Sequence, residues 1–286
     1  MNILKSLFIS LFIMLAMVIF VKSLTELSFS DLSYEWLGTA ISSASVLGFF
    51  SWVFILKPPR TTINLWLFSA LILIGTVLSL AAGSVHEFGF QPFLLSSFIF
   101  GLWLLYLYWY SFFSGRSALK IKVGEAFPPF SAINEKGEAV TEKSFLGSPT
   151  LLLFYRGNWC PLCMAQINEI ADKYRAISEG GTEIFLVSPQ SASHTKRLAR
   201  RFNVPFNFII DRELKLAKIL NNFHDNGTPF GIQVFGFDSD TVYPLVVILD
   251  QHNKVAWIDQ TDNYRLRPVP GNFISVINNL SLNPTS

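Results

Sequence analysis

Two cysteines, Cys160 and Cys163, are the residues of this chain whose type and spacing predict chemistry. They are the only cysteines among 286 residues, and only Pro161 and Leu162 separate them. They follow the apolar run 151–155, where a strand is expected to give way to a helix. A dithiol at this spacing can close a disulfide and reopen it without unfolding, or it can bind a metal.

The expected position of Cys160, at the start of a helix, favours its thiolate. A free thiol is only about 3% ionised at pH 7, and the thiolate is the nucleophile. Helix N-terminal amides and dipoles stabilise an anion by roughly 0.3 to 2 kcal/mol, which corresponds to about one pKa unit. We therefore expect Cys160 to be the more exposed and more acidic sulfur, and Cys163 to resolve. Pro161 is tolerated in the first helical turn.

Two neighbours of the dithiol are candidates for supporting roles. Arg156 could direct its positive charge toward the sulfurs, or it could be an ordinary solvent-facing arginine. Trp159 could shield one side of the dithiol, or it could belong to the core. A structural zinc site needs four ligands, and without a second Cys-X-X-Cys it would need His224 or His252. We predict no metal and no organic cofactor, only the redox-active disulfide between Cys160 and Cys163.

Residues 1–115 are depleted in charge and predict an all-α transmembrane region. Of the 22 Lys and Arg and 20 Asp and Glu residues in the chain, this part holds only eight: Lys5, Lys22, Glu26, Asp31, Glu35, Lys57, Arg60 and Glu87. A helix needs about 20 apolar residues to cross a bilayer. We predict four spans at about 3–21, 37–56, 63–82 and 93–113, and the first is shorter than the other three.

The first apolar stretch also resembles the core of a secretory signal, because Lys5 precedes it. No small-x-small cleavage site follows it, which favours an uncleaved span. Lys and Arg near the span ends set the orientation. With the N-terminus in the cytoplasm, only Lys22 falls outside, and six fall inside: Lys5, Lys57, Arg60, Arg116, Lys120 and Lys122. We therefore predict an integral protein of the bacterial inner membrane with a cytoplasmic C-terminal domain.

Residues 119–286 predict a single α/β domain with a central mixed sheet flanked by helices. Apolar runs rich in branched and aromatic residues alternate there with segments of helical period. The predicted strands are 150–155, 183–188, 207–210, 245–249 and 254–258. The predicted helices are 160–178, 193–202, 212–220 and 272–280, and residues 250–253 form a hairpin turn.

Several short motifs of this domain resemble the alkyl hydroperoxide reductase and thiol-specific antioxidant (AhpC/TSA) branch of the thioredoxin superfamily. They are Phe154–Cys163, Val187-Ser188, Pro205-Phe206 ahead of Asp211, and the strand that ends at Asp250. The resemblance covers residues 120–280 and is strongest to peroxiredoxin-like proteins whose turn reads Tyr-Arg-Gly-x-Trp-Cys-Pro-x-Cys. It implies a thioredoxin fold with peroxidase or thiol exchange activity.

The resemblance also implies a role for Tyr243 and Pro244. In proteins of thioredoxin type, a cis proline at the start of a strand packs against the dithiol and lines the substrate groove. Pro244 precedes the strand at 245–249 and is similar to that proline. The alternative is a trans proline at a strand edge, with Tyr243 as a surface aromatic residue.

Departures from the peroxiredoxin pattern separate the candidate functions. Aligning the peroxide-reactive cysteine with Cys163 places Cys160 where a hydroxyl belongs, Arg156 where a proline belongs, and Pro244 where a distant arginine belongs. We therefore rank a membrane-anchored thiol-disulfide oxidoreductase first and a thiol peroxidase second, with a copper-binding assembly factor using His224 third. The expected partners are the lipid bilayer, a disulfide (protein or small-molecule) or hydroperoxide substrate and a separate thiol reductant, with no nucleic acid.

Overall fold

The computed structural model of the chain describes residues 2–29, 33–83, 90–113 and 115–282. These residues form two compact units, Ile3–Ser114 and Gly115–Ser286. The first unit is helical and the second contains a sheet. Each unit has its own packing.

The first unit contains four apolar helices, as predicted, but their lengths differ from the prediction. They are α1 (Asn2–Phe29), α2 (Tyr34–Leu56), α3 (Trp66–Gly83) and α4 (Gln91–Leu105), and a π-helical turn, Tyr106–Tyr110, continues α4. In the described part of the chain, α1, α2 and the extended α4 are long and apolar enough to cross a membrane, whereas α3 is shorter.

The prediction that the first span is the shortest was wrong. Helix α1 has 28 residues and continues past Lys22, whose ammonium lies 5.4 Å from the centre of the Trp36 ring. This cation–π contact stabilises the Lys22 charge within the helix, just after the residue that we had predicted as the end of the span. Helix α3 has only 18 residues because Leu65, just before it, adopts a left-handed backbone conformation with φ of 46°.

Helices α2 and α3 approach closely through small and hydroxylated residues. A Cβ atom on Gly38 would lie 2.6 Å from the backbone nitrogen of Ser79, and one on Gly75 would lie 2.9 Å from that of Ser42. The Ser79 hydroxyl donates to the Glu35 carbonyl at 2.7 Å, and the Ser42 hydroxyl donates to the Ile72 carbonyl at 3.0 Å. Small residues and interhelical hydrogen bonds of this kind are typical of helix packing in membranes.

The second unit is built on a seven-stranded mixed sheet. Its strands are β1 (Ser131–Ile133), β2 (Ala139–Thr141), β3 (Thr150–Phe154), β4 (Glu183–Ser188), β5 (Asn207–Ile210), β8 (Leu245–Leu249) and β9 (Val255–Asp259), and a separate pair is formed by β6 (Phe223–His224) and β7 (Thr241–Val242). The strand order in the large sheet is β2-β1-β5-β4-β3-β8-β9. Strand β3 is parallel to β4 and antiparallel to β8, and β4 is parallel to β5.

Helices flank this sheet and complete the predicted thioredoxin fold. They are α5 (Pro161–Asp172), α6 (Tyr174–Ser178), α7 (Ala192–Ala199), α8 (Lys215–Leu220) and α9 (Pro270–Leu282). The predicted helix at 160–178 is interrupted at Lys173, which leaves helical geometry with φ of −99° and ψ of 9°. The five predicted strands are confirmed to within one residue at each end.

The central strand β3 positions the dithiol. All of its residues are buried, as are those of β8, because helices or loops cover both faces of the sheet. The Tyr155 amide donates to the Val187 carbonyl at 2.9 Å, which extends the β3–β4 pairing by one residue. The chain therefore leaves the middle of the sheet at a fixed point, and the Cys160 turn follows five residues later.

The contact between α2 and α3 predicts a steric effect of a single methyl group. Gly38→Ala should lower the melting temperature of the detergent-solubilised chain, because the new Cβ atom overlaps the α3 backbone, an overpacking that costs about 1–3 kcal/mol. Gly48→Ala is the matched control on the same helix, since no atom lies within 4 Å of its new Cβ. Equal melting temperatures for the two variants would contradict this packing.

Candidate active site

The turn between β3 and α5 holds both cysteines at the start of the helix. Cys160 is the N-cap residue of α5, with extended backbone angles, and Pro161 is its first helical residue, as predicted. The Met164 amide donates the first helical hydrogen bond to the Cys160 carbonyl at 3.0 Å. Gly157 has a φ of 149°, and a Cβ atom there would lie 2.8 Å from Trp159 Nε1. Only glycine fits this position without strain.

A chain of hydrogen bonds attaches this turn to the end of β4 and to α7. Gln190 Nε2 donates to the Tyr155 hydroxyl at 2.9 Å, and Gln190 Oε1 accepts from the Asn158 amide at 3.0 Å. Asn158 Nδ2 donates to the carbonyl of His194 at 2.9 Å. Because Tyr155 and Gln190 are buried, these bonds fix the backbone on the N-terminal side of Cys160.

The two sulfurs are electrostatically unequal. The Cys163 thiol donates a hydrogen bond to Cys160, and this bond, with the charges of Arg156 and Arg267, outweighs burial and lowers the pKa of Cys160 to about 6. Burial, and then the same hydrogen bond and the nearby Cys160 charge, raise the pKa of Cys163. Cys160 is thus the thiolate at neutral pH and Cys163 remains a thiol, the order that the sequence predicted.

Cys160 is only slightly more exposed than Cys163, and both side chains are almost fully buried. The Cys160 side chain is 2% exposed and that of Cys163 is 1% exposed. The turn is buried because Arg156, Trp159 and the C-terminal segment pack beside it. The Arg156 guanidinium lies 4.7 Å from the centre of the Trp159 ring and donates to the Gly227 carbonyl. Arg156 is therefore buried next to the dithiol and does not face solvent.

Arg267 is a functional candidate that the sequence analysis missed. It lies between β9 and α9, is buried, and its Nη2 atom is 3.9 Å from Cys163 Sγ. Its positive charge lowers the pKa of both cysteines. No local motif marks it, because 104 residues separate it from Cys163. Gln190 was also missed, although its position just after β4, the parallel neighbour of β3, is the usual place for such a residue.

The structure does not place Tyr243 and Pro244 as predicted. It has no cis peptide bond in the described residues, so the bond before Pro244 is trans and the expected cis proline is wrong. The backbone of Tyr243 is held by Asn222, because the Tyr243 amide donates to the Asn222 carbonyl and the Tyr243 carbonyl accepts from Asn222 Nδ2. Its ring stacks on His224 at 4.2 Å and contacts Arg116 at 4.6 Å.

No metal centre is formed by the described residues. Among them, no three side chains of His, Cys, Asp or Glu are grouped so that they could hold an ion. His224, the proposed third copper ligand, stacks on Tyr243 instead. His252 lies in the turn between β8 and β9 and contacts Gln251 at 3.3 Å. The copper and zinc alternatives therefore have no ligand set in the part of the chain described.

Comparisons with known proteins agree with this geometry. Residues 123–258 match the model of the AhpC/TSA family. Chloroplastic peroxiredoxin Q of Sedum lineare is 28% identical over 143 residues, which are 50% of this chain and 76% of that protein. Peroxiredoxin Bcp of Bacillus subtilis is 25% identical over 123 residues, which are 43% of this chain and 78% of that protein.

A solved structure supports the fold of the second unit. A C45S mutant of peroxiredoxin 6 from Arenicola marina aligns with a TM-score of 0.50 at 16% identity, over 58% of this chain and 76% of that one. At this identity the likeness concerns the fold alone. The β3–α5 turn thus lies on a scaffold shared with peroxiredoxins.

The hydrogen bond between the two sulfurs predicts how alkylation depends on pH. In the reduced chain, iodoacetamide should modify Cys160 first, at a rate that rises with pH through about 6 and then levels off as the thiolate fraction saturates. Cys163→Ala removes the donor and should raise the pKa of Cys160 by about one unit or more. Cys163→Ser is the matched control, because its hydroxyl still donates.

Peptide mass spectrometry at a series of pH values measures this rate for each cysteine. Faster alkylation of Cys163, or a Cys160 midpoint near the ordinary thiol value of about 8.5 in the unsubstituted chain, would contradict the assignment.

Proposed function

The second unit is a peroxiredoxin-like enzyme domain of the AhpC/TSA family in the thioredoxin superfamily, and from this premise we propose that the chain is a membrane-anchored dithiol peroxidase. A hydroperoxide is the substrate, and a separate thiol is the reductant. The peroxiredoxin pattern aligns its reactive cysteine with Cys163, but Cys160 is the sulfur whose pKa is lowered, so we assign Cys160 as the peroxide-reactive sulfur and Cys163 as the resolving one. The observation that carries this proposal is the acidic Cys160 thiolate, buried beside two guanidinium groups.

In the first step the Cys160 thiolate attacks one oxygen of the hydroperoxide. An S–O bond forms, the O–O bond breaks, and the electron pair leaves on the second oxygen, which takes a proton and departs as an alcohol or water. The leaving oxygen develops negative charge in the transition state. Arg156 and Arg267 supply fixed positive charge at this point, in a site from which bulk water is largely excluded.

In the second step Cys163 attacks the sulfur of the Cys160 sulfenic acid. A disulfide forms, and hydroxide leaves as water with the proton from the Cys163 thiol. The raised pKa of Cys163 keeps that proton available until this step. Two electrons from the external thiol then reduce the disulfide and restore both sulfurs.

The burial of Cys160 favours the peroxidase over thiol-disulfide exchange, which is the reverse of the ranking expected from the sequence. A protein disulfide must bring its backbone up to the attacking sulfur, whereas a hydroperoxide presents only two oxygens. A sulfur that is 2% exposed is thus better suited to the smaller oxidant. Arg267 also supports a peroxidase. The alignment with the peroxiredoxin pattern left no residue in place of the distant arginine, and Arg267 provides such a cation.

Thiol-disulfide exchange is the second candidate, supported by a different observation. A Cys-Pro-Leu-Cys turn with an acidic first sulfur and a protonated second one has the polarity that a mixed-disulfide mechanism requires. In that mechanism Cys160 attacks a substrate disulfide and Cys163 releases the reduced product. Both candidates use the same two sulfurs and differ in the oxidant.

Stopped-flow mixing of the reduced chain with hydrogen peroxide tests the first candidate. With a pKa of about 6, Cys160 gains ~30-fold over a free thiol at pH 7 from ionisation alone. Stabilisation of the leaving oxygen should raise the rate well beyond this factor. Cys160→Ser should abolish the fast reaction, while Cys163→Ser should stop at a sulfenic acid that dimedone captures.

A rate within the ~30-fold expected from ionisation would contradict the peroxidase. If Cys163→Ser then accumulates a mixed disulfide with a disulfide substrate such as insulin, the second candidate replaces the first. Mass spectrometry distinguishes the two outcomes, because dimedone and a peptide add different masses to Cys160.

We further propose that the helices of the first unit cross the bacterial inner membrane and that the redox unit faces the cytoplasm. The support is the length and apolar character of three described helices and the positive residues Lys57, Arg60, Lys120 and Lys122 near helix ends. In that compartment, reducing thiols keep the dithiol in its reactive form.

Reporter fusions to the C-terminus test this topology. A fused green fluorescent protein should fluoresce, and a fused alkaline phosphatase should be inactive, because the phosphatase needs disulfides that form outside the cytoplasm. The opposite pair of results would place the redox unit on the other side and would require an exported reductant. Extraction with alkaline carbonate, which leaves integral proteins in the membrane fraction, checks the anchoring itself.

A further inference from the structure

The segment between β6 and β7 exposes three large apolar side chains that the proposed reaction does not use. Phe230 is 62% exposed, Val234 is 85% exposed and Phe235 is 69% exposed. They lie on and just before a short 3₁₀ helix, Ile232–Phe235. Single apolar residues scattered over a protein surface are normal, whereas three within six residues form a patch of the kind that marks a binding surface.

Helix α7 and the turn that continues it expose four positive side chains. They are Lys196, Arg197, Arg200 and Arg201. Pairs of them are four residues apart, so the four lie on one broad face of the helix, and like charges at that spacing repel each other. Among the residues that the structure describes, none of the four has a carboxylate partner. This face of α7 therefore lacks the negative charge that would stabilise it.

The apolar and the basic residues belong to one continuous surface of the redox unit. Arg197 and Arg201 line the same open concavity as Phe235. The Phe237 ring stacks on the His194 ring, with 4.2 Å between the ring centres, and this contact joins the apolar segment to α7. We call the surface the amphipathic patch and define it by the exposed side chains of Lys196, Arg197, Arg200, Arg201, Phe230, Val234 and Phe235.

The carboxylates of the same segment are engaged by other groups. Asp238 pairs with Arg212 at 2.9 Å. Asp240 accepts from the Asn226 amide at 2.9 Å, and Asp225 accepts from the Asn226 side chain at 2.9 Å. These contacts leave the four positive side chains of α7 to a negative charge that comes from outside the chain.

We propose that the amphipathic patch docks on the anionic lipid surface of the membrane to which the chain is anchored. Aromatic and aliphatic side chains beside Lys and Arg are typical of protein segments that lie in the interfacial layer of a bilayer. The apolar side chains enter the boundary between headgroups and acyl chains, and the four cations bind lipid phosphates. This inference rests on the proposed membrane anchoring and goes beyond the proposed peroxidase.

The bilayer is favoured over a protein partner for two reasons. Four clustered Lys and Arg residues match the negative potential of a membrane surface that contains anionic lipids. The helices of the first unit also keep the redox unit beside lipid at a high effective concentration, so that a weak contact is enough. Asn158, in the active-site turn, donates to the His194 carbonyl on α7 at 2.9 Å. Docking of α7 would therefore hold the Cys160 turn near the membrane surface.

Spin labelling of the full chain in lipid nanodiscs tests this contact. Val234→Cys, in a chain that also carries Cys160→Ser and Cys163→Ser, provides a single site for a nitroxide. In nanodiscs that contain phosphatidylglycerol, the label should gain collisions with oxygen, which concentrates in lipid, and lose collisions with a nickel chelate, which stays in water. In nanodiscs of phosphatidylcholine alone, the label should remain accessible to the chelate.

A label at Leu146→Cys in the same background is the matched control. Leu146 is an apolar residue that is 57% exposed, and it lies just before β3 begins. Because β3 and β4 are parallel and α7 follows β4, Leu146 lies at the opposite edge of the sheet from the patch. This label should remain accessible to the nickel chelate in both kinds of nanodisc.

The charges of α7 provide the variants for the labelled chain. Each Gln substitution among Lys196, Arg197, Arg200 and Arg201 should lower the ratio of docked to free label about fivefold, and all four together should return the label to water. The matched control removes four exposed positive charges elsewhere in the redox unit, by Lys136→Gln, Lys143→Gln, Lys173→Gln and Arg175→Gln, and should leave docking intact. High salt should weaken docking, because it screens charges at a surface.

Hydrogen exchange on the chain with its own cysteines is a second measurement. Amides at 230–236 should exchange more slowly in phosphatidylglycerol nanodiscs than in phosphatidylcholine nanodiscs. Three results would overturn the inference: a label at position 234 that stays in water in both lipids, equal burial in both lipids, or equal loss of docking in the charge variant and its control. A label that stays in water with lipid and is immobilised by an added thiol-reducing protein would assign the patch to a protein partner instead.

Failure of the underlying proposals is measured separately. Release of the chain by alkaline carbonate would contradict the membrane anchoring, and with it this inference. A slow reaction of Cys160 with hydrogen peroxide would contradict the peroxidase and would leave the docking result as it stands, because the labelled chain carries neither cysteine of the dithiol.

Discussion

The negative charge on Cys160 is the constraint around which the redox unit is arranged. A thiolate that is almost fully buried loses most of its hydration, and a buried charge is tolerated only where nearby groups compensate for it. Here three groups from separate parts of the sequence compensate for the charge. The Cys163 thiol is supplied by the next helical turn, Arg156 by the loop before the helix, and Arg267 by the segment after the last strand. The fold is what brings these three groups to one sulfur.

The sheet fixes the position of the Cys160 thiolate relative to the groups that compensate for its charge. Strand β3 is paired on both edges, and all of its residues are buried, so the point at which the chain leaves it is fixed. From there Gln190 bonds to Tyr155 and Asn158, and Gly157 supplies a backbone conformation that other residues rarely adopt. The thiolate is therefore held by a rigid element and by polar bonds to a neighbouring strand, an arrangement that preorganises the charge of the site before any substrate arrives.

The structural features that could be predicted from the sequence depend mostly on short segments or on periodic patterns. Alternation of apolar runs located the five main strands, and Cys160, Pro161 and Cys163 predicted the helix start because N-cap and first-turn preferences act over a few residues. Arg267 was beyond reach, since its contact with Cys163 depends on the packing of a distant segment. The trans bond at Pro244 and the burial of Cys160 were missed for the same reason, because both are decided by tertiary neighbours such as Asn222 and Trp159. Glu35 is a similar case, for α2 begins earlier than its apolar run and buries this residue.

Under the proposed peroxidase mechanism, the position of the two sulfurs on one helical turn protects the oxidised enzyme from further reaction with its own substrate. A sulfenic acid that waits in the presence of excess hydroperoxide proceeds to sulfinic acid, which is not readily reversed. Residues three apart at a helix start are already neighbours, so Cys163 reaches Cys160 without unfolding α5. In the proposed mechanism, the hydrogen bond that acidifies Cys160 before the reaction therefore also positions the thiol that ends it. In the alignment with the peroxiredoxin pattern Cys160 takes the place of the hydroxyl, so this chain carries a second sulfur, one helical turn from the first, at a position where that pattern carries only a hydrogen-bond donor.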